Sequence, residues 1–225
     1  MDASNLRIKR VIVEVRYSGI LGYSRLREAL FDKWAEDFTK VLVNDSSVIL
    51  LNDDLNFKIF SEWHRSGTYF ENVDDPNFYI KKTNEYLGKL LEHYNRSRLS
   101  RIGNRFAFVL PFEGSFDSLF KTLKTNIYKE KVDQLGQIVD LGMIALTAKE
   151  SDCKINISLG PMRKQEITTK NEFQYDGDPD VAFFLDIDYY SDIKKEYDLG
   201  TFVQNAWKFV DRASKRFIQN ISEGD

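Results

Sequence analysis

The segment RIGNRFAFVLPF, residues 101–112, alternates strictly between two kinds of side chain. One phase is mostly apolar and comprises Ile102, Asn104, Phe106, Phe108, Leu110 and Phe112. The other phase begins with Arg101, Gly103 and Arg105. A period of two residues predicts a β-strand with one buried face and one open face. The chain must therefore supply a layer that covers one side of a sheet.

A similar alternation near the start of the chain predicts an internal duplication. Val11, Val13, Val15 and Tyr17 form the apolar phase there, and an amphipathic segment follows both strands. The apolar positions Tyr23, Leu26 and Leu30 of the first amphipathic segment match Phe116, Leu119 and Leu123 of the second. We therefore predict one domain over residues 1–225, built from pseudo-repeat halves 1–97 and 98–225.

Each half is predicted to have the element order β-α-β-β-β-α. The predicted strands are residues 6–17, 47–51, 55–64, 68–70, 101–112, 134–148, 153–159 and 181–190, and the predicted helices are residues 23–41, 81–94, 114–128 and 201–221. An α+β fold follows, with a curved antiparallel sheet that helices cover on one face. Saddle-shaped sheets of the TATA-binding-protein type and helix-grip folds have this element order, which by itself carries no function.

The composition excludes several classes of site. The 225 residues include one cysteine and two histidines, so an intramolecular disulfide or a four-ligand His/Cys zinc site cannot form. The 32 basic and 35 acidic residues give a net charge of −3, which provides no general attraction to nucleic acid. No phosphate-binding glycine loop or hydrolase motif is present. Without a signal peptide or an apolar run that could span a bilayer, we expect a cytoplasmic protein with no membrane partner.

Three charged pairs remain as candidate site residues. They are Glu14 and Arg16, Arg101 and Arg105, and Asp186 and Asp188, each on the polar phase of its own strand. If the apolar phases all face the helices, the three pairs share the open face of the sheet. One interpretation is a ladder of cross-strand ion pairs, each worth about 0.2–1 kcal/mol. The other is a surface that binds a phosphate or carboxylate through its arginines.

Two sharper hypotheses use parts of the same set. Asp186 and Asp188, together with Glu14, offer the oxygen ligands that Mg²⁺ or Mn²⁺ prefers, as in phosphoryl chemistry on nucleotides or nucleic acid. Separately, residues 95–105 carry Arg96, Arg98, Arg101 and Arg105 with no acidic residue among them. This cluster is either a nucleic-acid contact or a solvated turn between a helix and a strand.

Two further segments stand out. Residues 161–180 are polar and show no periodicity, which favours a disordered surface loop over a functional one. Residues 62–70, EWHRSGTYF, place several aromatic side chains on one predicted hairpin, which indicates cross-strand packing or an edge that binds a partner.

The motifs EVRY (14–17), RIGNR (101–105) and LDID (185–188) together resemble a sporadically distributed family of uncharacterised bacterial and archaeal proteins. That family carries an asparagine two positions after the aromatic residue of its central strand, where this chain has Phe108. The resemblance implies a prokaryotic or mobile-element origin and a single full-length module, and it carries no activity.

These observations predict a binding or interaction module without enzymatic activity. A protein partner or self-association is expected, as in an accessory component of a defence or mobile-element operon. The alternatives are the divalent-metal enzyme that uses Asp186 and Asp188 and the nucleic-acid binder that uses residues 96–105. No catalytic residue is predicted, because neither histidine has a recognisable nucleophile beside it.

Overall fold

The computed structural model describes residues 1–95, 98–128, 143–193 and 198–223, apart from the side chains of residues 30–32, 128 and 223. The strands are β1 (Arg7–Arg16), β2 (Lys40–Val43), β3 (Ser47–Asn52), β4 (Phe57–Glu62), β5 (Arg65–Val73), β6 (Arg101–Pro111), β7 (Ile144–Glu150), β8 (Cys153–Arg163) and β9 (Val181–Asp192). The α-helices are α1 (Tyr23–Trp34), α2 (Pro76–His93), α3 (Phe116–Leu123), α4 (Lys164–Thr168) and α5 (Leu199–Glu223). The fold is α+β, as the sequence predicts.

All nine strands form one antiparallel sheet in the order β2-β3-β4-β5-β1-β6-β9-β8-β7. The strands that open the two predicted halves, β1 and β6, pair with each other at the centre. The strands that close them, β5 and β9, lie on either side. The polar phases of these four strands are therefore neighbours in the middle of the sheet.

One face of the sheet carries the main hydrophobic core. Val11, Val13 and Val15 of β1 are fully buried there, together with side chains from β6 and β9. The core also contains Tyr23 of α1, Leu87 and Leu90 of α2, and residues of α3 and α5. The prediction that helices cover the apolar phase of the strands is therefore confirmed for these four helices.

The opposite face is only partly open, which corrects the interpretation of residues 161–180 as a disordered surface loop. Residues 161–163 complete β8, and residues 164–180, which we call the strap, cross the second face as α4 and an ordered loop. Ile167 of α4 packs on apolar side chains of β6 and β9, and Phe173 packs on Tyr69. The segment lacks periodicity because only a few of its side chains anchor it.

The predicted helix over residues 23–41 is wrong at its C-terminal end. The helix ends at Trp34, and Lys40–Val43 form β2, which pairs with β3. The first half therefore contains one strand more than predicted. Val41 continues the helical stripe by chance, but the β-branched side chains of Val41 and Val43 also suit an edge strand.

The hairpin formed by β4 and β5 turns at Trp63 and His64, so the predicted turn around residues 65–67 is also wrong. Arg65 and Gly67 lie inside β5. A Cβ atom on Gly67 would come within 2.4 Å of the Phe60 ring, so the missing side chain makes room for that ring. The glycine therefore marks a close approach between strands and not a turn.

Two smaller points concern the starts of elements. α2 begins at Pro76 behind the N-cap Asp75, five residues before the predicted start at residue 81. β7 begins at Ile144, and residues 134–142 of the predicted strand lie outside the described residues. In the part of the chain that the structure describes, no helix is both long and apolar enough to cross a membrane.

Candidate functional site

All three charged pairs lie on the second face of the sheet, beside the strap. Ion pairs connect two of these pairs across β6 and β9: Arg105 binds both carboxylate oxygens of Asp186, at 2.8 and 2.7 Å, and Arg101 donates to Asp188 over 3.2 Å. Within β1, Arg16 donates to Glu14 over 2.7 Å. The side chain of Arg105 remains 53% exposed, so neither a helix nor the strap covers it.

The structure adds a row of arginines that the sequence did not indicate. Arg16 is the direct cross-strand neighbour of Arg65 on β5 and of Arg101 on β6. We call Arg65, Arg16 and Arg101 the arginine row. Arg65 was missed because the RSG sequence predicted a turn, whereas the structure places this residue at the start of β5. The row depends on the registers of β1 with β5 and with β6, which no local sequence pattern indicates.

Carboxylates accompany the arginine row on its inner side. Arg65 donates to Glu62 over 2.6 Å and to Glu14 over 3.3 Å. The hydrogen bond that Arg65 donates to Glu62 raises the pKa of Arg65 above its usual value. Each guanidinium carries five N–H groups, and the described carboxylates take only one or two from each arginine of the row. The row therefore keeps donors for a further anion.

A shallow notch of about 160 Å³ opens between the row and Arg105. We call it the charged notch; its lining residues are Ile12, Glu14, Arg16, Arg101, Gly103, Arg105 and Asp188. Gly103 lies at the centre of this group on β6, directly opposite Glu14 of β1, and a glycine leaves the backbone uncovered there. On the far side of β6, the Arg101 guanidinium stacks 3.9 Å from the centre of the Tyr190 ring, which holds it in one orientation.

Asp188 is unfavourably placed for a charged group. Burial raises the pKa of the Asp188 carboxyl above its usual value, and the nearby charges of Arg101 and Arg105 oppose this shift without cancelling it. In contrast, the hydrogen bonds that Arg105 donates to Asp186 raise the pKa of Arg105 and stabilise its charged form. A desolvated carboxylate that lines a notch is a recognised mark of a functional site.

The predicted metal ligands do not come together as a metal site. Among the described residues, no group of three or more His, Cys, Asp or Glu side chains lies close enough to hold a metal ion. Both oxygens of Asp186 bind Arg105, and an oxygen of Asp188 accepts from Arg101. A cation would have to displace two arginines to reach the pair.

The predicted nucleic-acid cluster is placed only in part. Arg96 lies outside the described residues, and Arg98 is exposed just before β6. Arg101 and Arg105 belong to the charged notch and are both ion-paired. Of the three described arginines, Arg98 alone lies outside the charged notch, just before the strand that carries Arg101.

The aromatic segment 62–70 is divided between the two faces. Phe70 is buried in the core, whereas Tyr69 lies under the strap. Trp63 is 52% exposed at the turn and packs against His64. His93, the other histidine, bonds to the Leu26 carbonyl through Nε2 at 3.0 Å and so ties α2 to α1.

Comparisons with known proteins identify no relative. A scan against protein-family models gives no match to this chain. A search of the curated proteins likewise gives no significant match. The features that bear on function are therefore the charged notch and the arginine row on the second face of the sheet.

Proposed function

We propose that this chain is a binding module that recognises an anionic group of its partner at the charged notch. The observation that carries the proposal is the arginine row, in which three guanidinium groups occupy neighbouring positions on three paired strands. Like charges directly opposite one another on a sheet are destabilising. A bound phosphate or carboxylate would offset the repulsion between the arginines and so account for this arrangement.

The chemistry of the row suits such a ligand. A guanidinium is planar, always charged and able to donate two parallel hydrogen bonds to a phosphate or carboxylate. Neighbouring strands lie about 4.8 Å apart, so two adjacent arginines can reach the same anion. Glu14 and Asp188 line the same notch and can accept hydrogen bonds from hydroxyl or amino groups of the ligand. An ion-pair ladder would explain the carboxylates but not the three adjacent arginines.

Calorimetric titration with inorganic phosphate and pyrophosphate tests the proposal. We expect binding that weakens with added salt, because the attraction is electrostatic. The double variant Arg16→Ala and Arg101→Ala should weaken it at least tenfold, which corresponds to about 1.4 kcal/mol. Arg212→Ala, which removes an exposed arginine of α5, is the matched control and should bind like the parent protein. Absence of binding, or equal loss in the control, would contradict the proposal.

Titrations with metal ions and with oligonucleotides separate the alternative functions. A divalent-metal enzyme requires Mg²⁺ or Mn²⁺ to bind and the double variant Asp186→Asn and Asp188→Asn to abolish that binding. A nucleic-acid binder requires single-stranded oligonucleotides to bind with a salt slope set by several phosphates. Protein partners and self-association, which we also propose, are measured by sedimentation with and without saturating phosphate.

We further infer that the two halves derive from a duplicated unit in a saddle-like arrangement. The matching positions of β1 and β6, and of β5 and β9, support this inference. The resemblance to a prokaryotic family of uncharacterised proteins is likewise a proposal, and it rests on the three short motifs alone.

A further inference from the structure

A second cavity, of about 360 Å³, lies at the opposite end of β1 from the arginine row. We call it the end cavity. It opens between the start of β1, the end of β5, helix α5 and the strap. Its lining includes Lys9, Asn72, Phe108, Tyr175, Asp178 and Trp207. Its volume falls within the range of small-molecule pockets, about 300–1,000 Å³.

The backbone is irregular at this cavity. The pairing of β1 with β6 passes from Ile8–Phe108 to Arg10–Ala107, so Lys9 is an extra residue in a β-bulge. On β5 the residue at the same level, Asn72, has a left-handed backbone with φ of 52°. Bulges redirect side chains and are frequent beside functional sites, and asparagine is a residue that tolerates a left-handed backbone. Both irregularities direct attention to Lys9.

Lys9 is a buried cation with an incomplete set of partners. Its side chain is 5% exposed, and Nζ donates to Asp178 Oδ1 over 2.6 Å and to Asn72 Oδ1 over 3.0 Å. An ammonium group has three N–H donors, and these are its two described acceptors. Nζ also lies 4.3 Å from the centre of the Tyr175 ring. A buried ion pair contributes little net stability, so stability alone does not account for this lysine.

Three aromatic side chains contribute to the wall, beside charged residues such as Arg7, Asp211 and Lys215. Phe108 stacks on Phe106, and Trp207 packs against Phe106 with ring centres 5.9 Å apart. Tyr175 contributes a ring from the strap. A molecule with a flat apolar ring and one polar group could therefore place its ring against Phe108, Trp207 and Tyr175. Its polar group would then reach Lys9.

We propose that the end cavity binds a small planar organic molecule whose acceptor oxygen takes a hydrogen bond from the Lys9 ammonium. A carboxylate or an amide carbonyl supplies that oxygen. A cationic ligand of the same shape has no acceptor atom for the Lys9 ammonium, so it should not bind in this position even though Asp74 and Asp211 also line the cavity. This site is separate from the charged notch, so the two proposals stand or fall independently.

Three matched probes test this site: benzoate, benzamide and benzylamine share one ring and differ in the polar group. The readout is the indole N–H signal of each of the three tryptophans in a ¹⁵N-labelled sample, assigned by Trp→Phe substitution. Benzoate and benzamide should shift the Trp207 signal, and benzylamine should not. The signals of Trp34 in the core and Trp63 at the β4–β5 turn serve as internal controls. No shift at Trp207, or an equal shift with benzylamine, overturns the proposal.

A charge-matched variant tests the role of Lys9. The double substitution Lys9→Met and Asp178→Asn removes both charges of the pair together, which avoids leaving one buried charge unpaired. Benzoate should bind it at least tenfold more weakly, as expected for the loss of a hydrogen bond to a charged group. Should the variant unfold, Tyr175→Ala on the strap replaces it. This substitution removes one ring of the cavity wall and should also weaken benzoate binding. Unchanged benzoate binding in the folded variant, or in Tyr175→Ala, overturns the proposal.

Discussion

Asp188 shows at the level of one residue how the charged notch differs from an ordinary sheet surface. Its carboxylate accepts from Arg101, yet burial still raises its pKa. The protein therefore retains a group whose ionisation opposes folding. Such a group is expected where a ligand, and not stability, decides the residue type.

Asp188→Asn should stabilise the free protein at neutral pH. The folded state of the parent binds the Asp188 proton more tightly than the unfolded state, whose pKa stays near 3.8. The contribution of Asp188 to the free energy of unfolding therefore falls as the pH rises from about 4 through the pKa of the folded state. The gain in Asp188→Asn should accordingly vanish below about pH 4. Denaturant unfolding at several pH values measures it, and a variant that is less stable at pH 7 contradicts the assignment.

Two buried tyrosines should respond oppositely to loss of the hydroxyl group. Tyr79 is fully buried on α2, and its hydroxyl faces the buried side chain of Asn104 without forming a well-aligned hydrogen bond. The Tyr94 hydroxyl lies 2.8 Å from Ser61 Oγ. Tyr79→Phe should leave the free energy of unfolding unchanged or raise it by about 1 kcal/mol, whereas Tyr94→Phe should lower it by a similar amount. Chemical denaturation compares the two, and equal losses would contradict the hydrogen-bond assignment.

At the level of elements, the strap decides how much of the second face is open. The buried carboxylate of Glu71 accepts from the backbone N–H groups of Glu172 and Phe173, at 2.7 and 3.0 Å. It also accepts from the Tyr69 hydroxyl. A single acidic residue of β5 thus holds the middle of the strap, and the Lys9–Asp178 ion pair holds its end.

Glu71→Gln should loosen the strap without disrupting the sheet. An amide has one acceptor oxygen and cannot receive both backbone N–H groups on separate oxygens, so we expect a loss of about 1.5–3 kcal/mol. Amide hydrogen exchange and limited proteolysis within residues 164–180 should both become faster. Glu62→Gln is the matched control, because this partly buried acid binds Arg65 and makes no described hydrogen bond to the strap. Unchanged exchange in the strap, or equal loosening in the control, would count against this role of Glu71.

At the level of the whole molecule, the order of the strands predicts a gradient of local stability. β1 and β6 pair on both sides and carry fully buried side chains. β2 is an edge strand, and all four of its residues are exposed. Native-state hydrogen exchange should therefore be slowest in β1 and β6 and fastest in the edge strands β2 and β7, since opening an edge strand breaks fewer contacts. Similar protection throughout would indicate that β2 is covered by self-association.

Several features were predictable because they depend on a short period along the chain. The alternation in residues 101–112 assigned Arg101 and Arg105 to the open face and Phe106 to the core, and the structure agrees. The same reasoning placed the pairs at 14 and 16 and at 186 and 188 on that face. Side chains two residues apart on a strand share a face whatever the partner strands are.

Features that depend on contacts distant in the sequence were not predictable. The arginine row exists because the register between β1 and β5, which are distant in the sequence, brings Arg65 beside Arg16. The strap is ordered because Glu71, about a hundred residues earlier in the chain, accepts its backbone hydrogen bonds. The end cavity exists only where β1, β5, α5 and the strap converge. Local periodicity alone therefore determined the two faces of the central strands. Which side chains meet across those faces was decided by tertiary structure, because register and loop docking are set by interactions between residues that no local pattern relates.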